Sequence, residues 1–305
     1  MKINTDLMQN LCKLNKDVLK KVLIKYLKSK GYDKVIKSNM FIIAEGDLPL
    51  CLCAHLDTVF PSSPVDIYYD NKKTIMWSPQ GLGADDRAGI YAIVSLLERG
   101  YRPSIIFTDL EEQGGIGANS LIKHFPDCPF KDCKAIIQLD RRGSVDSVYY
   151  DCDSENFEKK INSYGFKTEW GTFTDISIIC PKWGIAGVNL SVGYYNEHHY
   201  IETLNMVQLH LTIHKVEKML QECRDWRKYK YIPYKHKYSN DKYGWWSLDN
   251  CICCGKVLDT ANGHYYYGGN PEQKNDYIIC DDCYANYFAG NSDIIEVNNA
   301  SPTED

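Results

Sequence analysis

The sequence predicts an α/β fold, a central mixed and largely parallel sheet flanked by helices, followed by a small four-cysteine zinc-binding module. Three observations carry this reading. Short apolar strand candidates alternate with amphipathic segments over residues 15–223, acids and histidines fall at the ends of those strands, and two Cys-x-x-Cys pairs lie near the carboxyl terminus.

Residues 15–30 set Val18, Leu19, Val22, Leu23 and Leu27 at helical spacing with lysines opposite, so an amphipathic helix opens the alternation. MFIIAE at 40–45 and LCLCAHL at 50–56 read as strands. A helix over 86–100, a strand over 103–110, a helix near 116–125 and a strand over 134–140 follow. SVDSVYYD reads as a further strand and residues 154–164 as a helix; a helix-then-strand unit spans 171–195, and a long helix over about 201–223 closes the first domain. Residues 224–246 shift to Lys, Arg, Tyr and Trp and read as a linker, 247–288 as the Cys-rich module, and 289–305 as a polar tail that frays.

Composition narrows the function classes. The 305 residues are 44% hydrophobic and 25% charged, which excludes disorder and fibres. A formal charge of -5 gives no global attraction to nucleic acid or anionic lipid. No apolar run approaches the roughly 18–20 residues of a membrane span, and the first residues lack the apolar core of a signal peptide; the expectation is a cytoplasmic chain with no membrane partner. The 13 cysteines are odd in number, and the cluster between 251 and 283 points to metal rather than to a disulfide framework.

Loops at the carboxyl edge of such a sheet converge on a crevice, and the acids and histidines sit at those ends. His55 and Asp57 close one strand, Glu111 and Glu112 follow the next, Asp140 ends a third, His198 follows VNLSVGYYNE, and Asp85 and Asp86 stand at a helix entrance. Any one of these alone reads as a solvated surface feature; five placements at successive element ends do not. Two histidines with several carboxylates suit zinc, cobalt or manganese, and a bridging carboxylate suits a pair of such ions. A carboxylate left without metal would then move the proton.

The segments His-Leu-Asp-Thr-Val (55–59), Gly-Ala-Asp-Asp-Arg-Ala-Gly (83–89), Glu-Glu-Gln-Gly-Gly-Ile-Gly-Ala (111–118) and Leu-Asp-Arg-Arg-Gly (139–143) come in this order, followed by His198 with Glu202 four residues on. In order and spacing they resemble the co-catalytic zinc exopeptidases, which include bacterial leucyl aminopeptidases, glutamyl aminopeptidases, peptidase T and carboxypeptidase G. The resemblance covers about residues 40–215 and implies two active-site Zn2+, or Co2+ or Mn2+. It makes Asp85 the bridging carboxylate, gives His55 and Asp140 to one metal and Glu112 and His198 to the other, and leaves Asp86 structural with a cis peptide before it. It makes Asp57 the acid that orients His55, and Glu111 the general base that takes a proton from the attacking water and passes it to the leaving nitrogen. Some relatives carry an inserted lid or dimerisation domain. Here 27 residues separate Asp57 from Asp85 and 57 separate Asp140 from His198, so neither gap holds one and an aminopeptidase-like pocket is expected.

Arg141 and Arg142 follow Asp140, and a guanidinium there would clamp a substrate carboxylate; pairing with Asp146 or Glu202 is the alternative. Asp175 resembles a pocket-facing acid of the glutamyl aminopeptidases, or else caps a helix beginning near Ile176. Cys251 with Cys254 and Cys280 with Cys283, 25 residues apart, suit one tetrahedral structural zinc in a zinc-ribbon-like or treble-clef-type module.

The leading expectation is an aminopeptidase acting on short peptides. The alternatives are a dipeptidase or acyl-amino-acid amidohydrolase of the same superfamily, and a non-catalytic protein that binds peptide or nucleic acid through the zinc module. The Lys- and Tyr-rich arm suits nucleic acid less well than packing on the first domain, and the sequence fixes no oligomeric state.

Overall fold

A computed structural model describes residues 4–233, 249–250, 257–258, 264–268, 277–287, 289 and 294–298. The chain divides into two compact units, Met1–Tyr234 and Lys235–Asp305.

In the first unit, helices α1 (Thr5–Lys13) and α2 (Lys16–Ser29) precede strands β1 (Val35–Lys37), β2 (Phe41–Ala44) and β3 (Leu48–His55). Asn4 and Asn15 start the two helices by accepting the amides of Leu7 and Val18. After β4 (Tyr68–Tyr69) and β5 (Ile75–Trp77) the chain alternates: α3 (Ala84–Glu98), β6 (Pro103–Thr108), α4 (Ile116–His124), β7 (Ala135–Arg141). Then come β8 (Asp146–Val148), α5 (Glu155–Asn162), β9 (Lys167–Thr168), α6 (Asp175–Trp183), β10 (Gly187–Ser191), β11 (Tyr194–Tyr195), β12 (Thr203–Asn205) and α7 (Met206–Glu222).

Eight strands form one sheet in the order β1-β2-β6-β3-β7-β10-β8-β9. Its centre, β6-β3-β7-β10, is parallel; β2 and β8 join it antiparallel, and β1 pairs antiparallel with β2. The near-continuous apolar runs follow from burial on both faces. Along β3, Leu50, Leu52 and Ala54 enter one core with Leu19, Leu23, Ile90 and Leu209, while Cys51 and Cys53 enter the other with Leu121, Ile176 and Ile179. The parallel register pairs His55 with Thr108, so the ends of β3 and β6 reach the same edge.

Three expectations change. The long helix begins at Met206 rather than near 201, because Thr203–Asn205 pair with β5 in a second sheet ordered β11-β12-β5-β4. The segment expected as a linker or surface-draped arm from residue 224 belongs to the first unit as far as Pro233, which moves the boundary but agrees with the packing expected of its tyrosines: Trp226 and Tyr229 are buried, and the Ala186 amide donates to the Tyr229 carbonyl at 3.0 Å. Its aromatic content reflects that packing. The tail expected to fray contains β17 (Ile294–Asn298), described below.

In the second unit, β13 (Asp249–Asn250) pairs with β14 (Val257–Leu258), and β15 (His264–Gly268) lies between β16 (Tyr277–Ile279) and β17. A short helix, α8 (Asp281–Tyr287), follows Cys280. Leu258, Ile279, Cys280 and Cys283 form a small buried cluster against which Tyr265, Tyr266 and Tyr284 pack.

Two glycines let helices approach the parallel strands. A Cβ on Gly89 would stand 2.0 Å from the Leu139 carbonyl and 2.5 Å from Asp86 Oδ1, and one on Gly117 would stand 2.3 Å from the Asp109 carbonyl. Gly89→Ala therefore forces α3 off β7. We expect a loss of about 1–3 kcal/mol, read as a lowered Tm, and weaker metal retention in dialysis.

Candidate metal centre

Three acids first fix the backbone at the carboxyl edge. Glu202 is fully buried and accepts the amides of Gly83, Ala84 and Asp85 at 2.6, 3.1 and 3.0 Å. Asp86 accepts the His55 amide at 3.1 Å and the Gly89 amide at 2.8 Å. Asp57 accepts the amides of Glu111 and Glu112 at 3.1 and 3.2 Å and lies 3.3 Å from His55 Nδ1. Each is a charge-assisted set of bonds that reaches segments distant in sequence.

On this frame the remaining polar groups converge. Asp85 stands between two imidazoles, with Oδ1 2.9 Å from His55 Nε2 and Oδ2 3.3 Å from His198 Nε2. Asp140 Oδ1 lies 3.5 Å from His55 Nε2, and Glu112 Oε2 lies 3.0 Å from His198 Nε2. The peptide between Asp85 and Asp86 is cis. Thr174 Oγ1 and Gln138 Nε2 donate to Asp140 Oδ2 at 2.8 and 3.0 Å, and the Tyr194 hydroxyl to its Oδ1 at 3.2 Å.

The donor set fits divalent cations. Ligand atoms of His55, Asp85 and Glu112, and of His55, Asp86 and Asp140, come within 4.8 Å of one another. Asp86 belongs to the second set by distance, but its two oxygens already accept the His55 and Gly89 amide protons. Glu112 Oε1 is buried without a hydrogen-bond partner. Burial pushes the Glu111 carboxyl up to about 9 and the Asp140 carboxyl up to about 6. Burial also acts on Asp85, yet the bonds from His198 and His55 hold it well below the usual carboxylate range. Bonds to Asp85 and Glu112 push His198 up to about 11. Buried acids that compete for protons in this way bind cations with proton release.

The expected substrate residues separate. Arg141 lines the cleft in front of the centre, together with Glu111, Asp140, Tyr150, Phe173 and Tyr194. Arg142 also reaches this cleft, but is 58% exposed and paired with Glu197 at 2.9 Å. Asp175 does not face the cleft: it is fully buried and bonded to Thr108, as the first residue of α6, whose N-cap is Thr174. Pairing of Arg141 with Glu202 does not occur, since Glu202 serves the amides of 83–85.

In the second unit Cys280 and Cys283 are buried at the start of α8; Cys251 and Cys254 lie outside the described residues. The sequence reading missed Thr174, Gln138, Asn189 and Tyr194, polar residues without a spacing signal. Asn189 accepts the Asp140 amide at 2.9 Å and donates to the Asp140 carbonyl at 2.9 Å.

Residues 43–169 match the model of peptidase family M28. Solved structures share the architecture. Aminopeptidase PepT from Bacillus cereus ATCC 10987 aligns with a TM-score of 0.58 at 14% identity, over 71% of this chain and 97% of that one. A tripeptidase from Staphylococcus aureus subsp. aureus Mu50 aligns with a TM-score of 0.59 at 16% identity, over 72% and 98%. The first unit thus shares the fold of these peptidases, and its residues 43–169 carry the M28 similarity. Among curated proteins, the alkaline phosphatase isozyme conversion protein of Escherichia coli K12 is 30% identical over 129 residues, 40% of this chain. The chain spans 36% of that relative's length.

The buried acids of the centre carry a pH signature. Burial raises Asp140 to about 6, Asp175 and Glu202 to about 7 and Glu111 to about 9, from ordinary values of 3.8 for aspartate and 4.5 for glutamate. Because the folded values lie above the unfolded ones, their stability contribution is complete below about pH 4 and is lost as pH rises through 6 to 9. The raised His198 acts in the same direction above its ordinary 6.5. Metal-free protein is expected to show a Tm that falls from about pH 5 to about pH 9, and zinc to reverse the fall. A flat profile in scanning fluorimetry would contradict this.

Proposed function

We propose that the protein is a metal-dependent exopeptidase, an aminopeptidase that trims short peptides, with two cations at the centre. The observation that carries this is Asp85, whose two carboxylate oxygens face different imidazoles, His55 and His198. His55, Asp85 and Asp140 would hold one ion, and Asp85, Glu112 and His198 the other. When bound, the cations polarise the substrate carbonyl, acidify the attacking water and draw the Glu111 carboxyl down from about 9 toward neutrality.

The chain's own groups supply the rest. Glu111 accepts the water's proton on its carboxylate and returns it to the leaving nitrogen. Asp57 aims that base by holding the amides of Glu111 and Glu112 at 3.1 and 3.2 Å, and keeps the His55 ring in orientation from 3.3 Å. The cleft of about 290 Å³ is at the small end for a small-molecule site, which suits short peptides. That two structural neighbours are an aminopeptidase and a tripeptidase supports that choice.

Incubating zinc- or cobalt-loaded protein with peptides whose ends are free or blocked, followed by mass spectrometry, tests the reading. We expect stepwise loss from free amino ends only. Glu111→Gln should lower kcat by at least about 10²-fold while metal content stays the same; wild-type turnover in that variant would remove Glu111 from the role of base.

We also propose that Cys251, Cys254, Cys280 and Cys283 hold one structural zinc. The support is the paired knuckle spacing and the burial of Cys280 and Cys283. A double Cys280→Ser, Cys283→Ser variant should lose one zinc per chain by atomic absorption. A chain truncated after Tyr234 should keep peptide hydrolysis, whereas its loss would mean that the second unit shapes the site.

A further inference from the structure

The charged groups lining the cleft differ in how fully they are partnered. Asp85, Asp140, Glu112 and His198 face one another or His55, and Glu197 is taken by Arg142. Of the two arginines, Arg141 has no carboxylate within hydrogen-bond reach. It ends β7 directly after Asp140, its side chain is only 21% exposed, and it lines the same cavity as Glu111, Asp140 and Tyr150.

Its guanidinium is held but not saturated. Nη2 donates to the Trp170 carbonyl at 3.2 Å, which fixes the plane of the group. Asp146 Oδ2 stands 3.9 Å from Nε, beyond hydrogen-bond reach, and Nε–H is buried with no acceptor. A guanidinium has five N–H donors in a fork that matches a carboxylate, and an unmatched buried donor favours whatever supplies the acceptor. Beside His198, which faces Asp85 and Glu112, and Arg142, which is paired with Glu197, the cleft thus presents one guanidinium with donors to spare.

We propose that Arg141 is the carboxylate-binding residue of the cleft, so that the preferred substrates are short peptides presenting a carboxylate to it beside the scissile bond. This rests on the exopeptidase reading above and adds the substrate class. The carboxylate belongs either to the carboxyl terminus of a di- or tripeptide or to an acidic side chain. Arg142, exposed and already paired, is not the clamp.

The test uses the full-length, metal-loaded protein with matched pairs: Ala-Ala and Ala-Ala-Ala against their carboxyl-terminal amides, and Glu-Ala-amide against Gln-Ala-amide. The carboxylate member of one pair should show kcat/KM higher by about 10–100-fold, mainly through KM, the loss expected for a charge-assisted bond removed. Preference within the Ala pairs identifies the terminal carboxylate, and preference for Glu over Gln the side chain. Arg141→Met should bring the ratio to within roughly threefold, Arg141→Lys should keep part of it, and Arg142→Met should keep it whole. Cleavage without preference in either pair overturns the clamp while leaving the exopeptidase reading intact. So does an Arg141→Met variant that weakens both members alike. Calorimetric binding of the same pairs to Glu111→Gln protein reads the clamp without turnover: equal Kd within every pair overturns it even if no peptide is cleaved.

Discussion

The centre depends on buried carboxylates that accept backbone amides. Glu202 ties His198's loop to the entrance of α3, Asp86 ties that entrance to the end of β3, and Asp57 ties the end of β3 to the turn after β6. None of these bonds joins neighbours in sequence. They convert four separately folded strand ends and loops into one rigid edge, and they do so with charges that burial would otherwise make costly. The amide partners offset that cost and at the same time set the directions of His55, Asp85, Glu111 and Glu112.

The same arrangement explains why the site is electrostatically unbalanced. Acids that position the backbone stand beside the acids proposed as ligands, and burial pushes Glu111, Asp140, Asp175 and Glu202 toward the protonated form. His55 and His198 face them at the centre. Cations are the natural counterweight, and stability and metal binding are therefore linked through the same carboxyl groups.

Much of this was legible in the sequence because the proposed ligands sit in short motifs at element ends. His55, Asp85, Glu112, Asp140 and His198 are brought together as the spacing suggested, and the alternation of strand and helix matches the sheet observed. Other features depended on contacts that no local pattern encodes. Asp175 reads like a pocket acid, yet its position at the start of α6 buries it beneath Thr108. The aromatic arm after Arg224 reads like a linker because Tyr and Trp among lysines give no strand or helix period; Trp226 and Tyr229 find their place only against Tyr164 and Phe157. Glu202 was visible as a spacing mark, but its three amide partners lie 117–119 residues away.

The turn carrying Glu111 is held from its other side as well. Leu110 adopts φ 57°, a conformation a branched side chain resists, so the turn needs support from both flanks. Asp57 provides one, and Asp109 the other: buried at the end of β6, it is gripped by Lys20 and, at 2.9 Å, by Lys16, both on α2. Those lysines neutralise the acid of the turn that pairs away from the centre, so its charge does not add to the crowding at Glu111. Asp109 Oδ1 in turn accepts the Leu110 amide at 2.8 Å, which stabilises the left-handed residue itself. An amino-terminal helix with no residue in the cleft thus sets the position of the proposed base, Glu111, through two ion pairs and one strained residue.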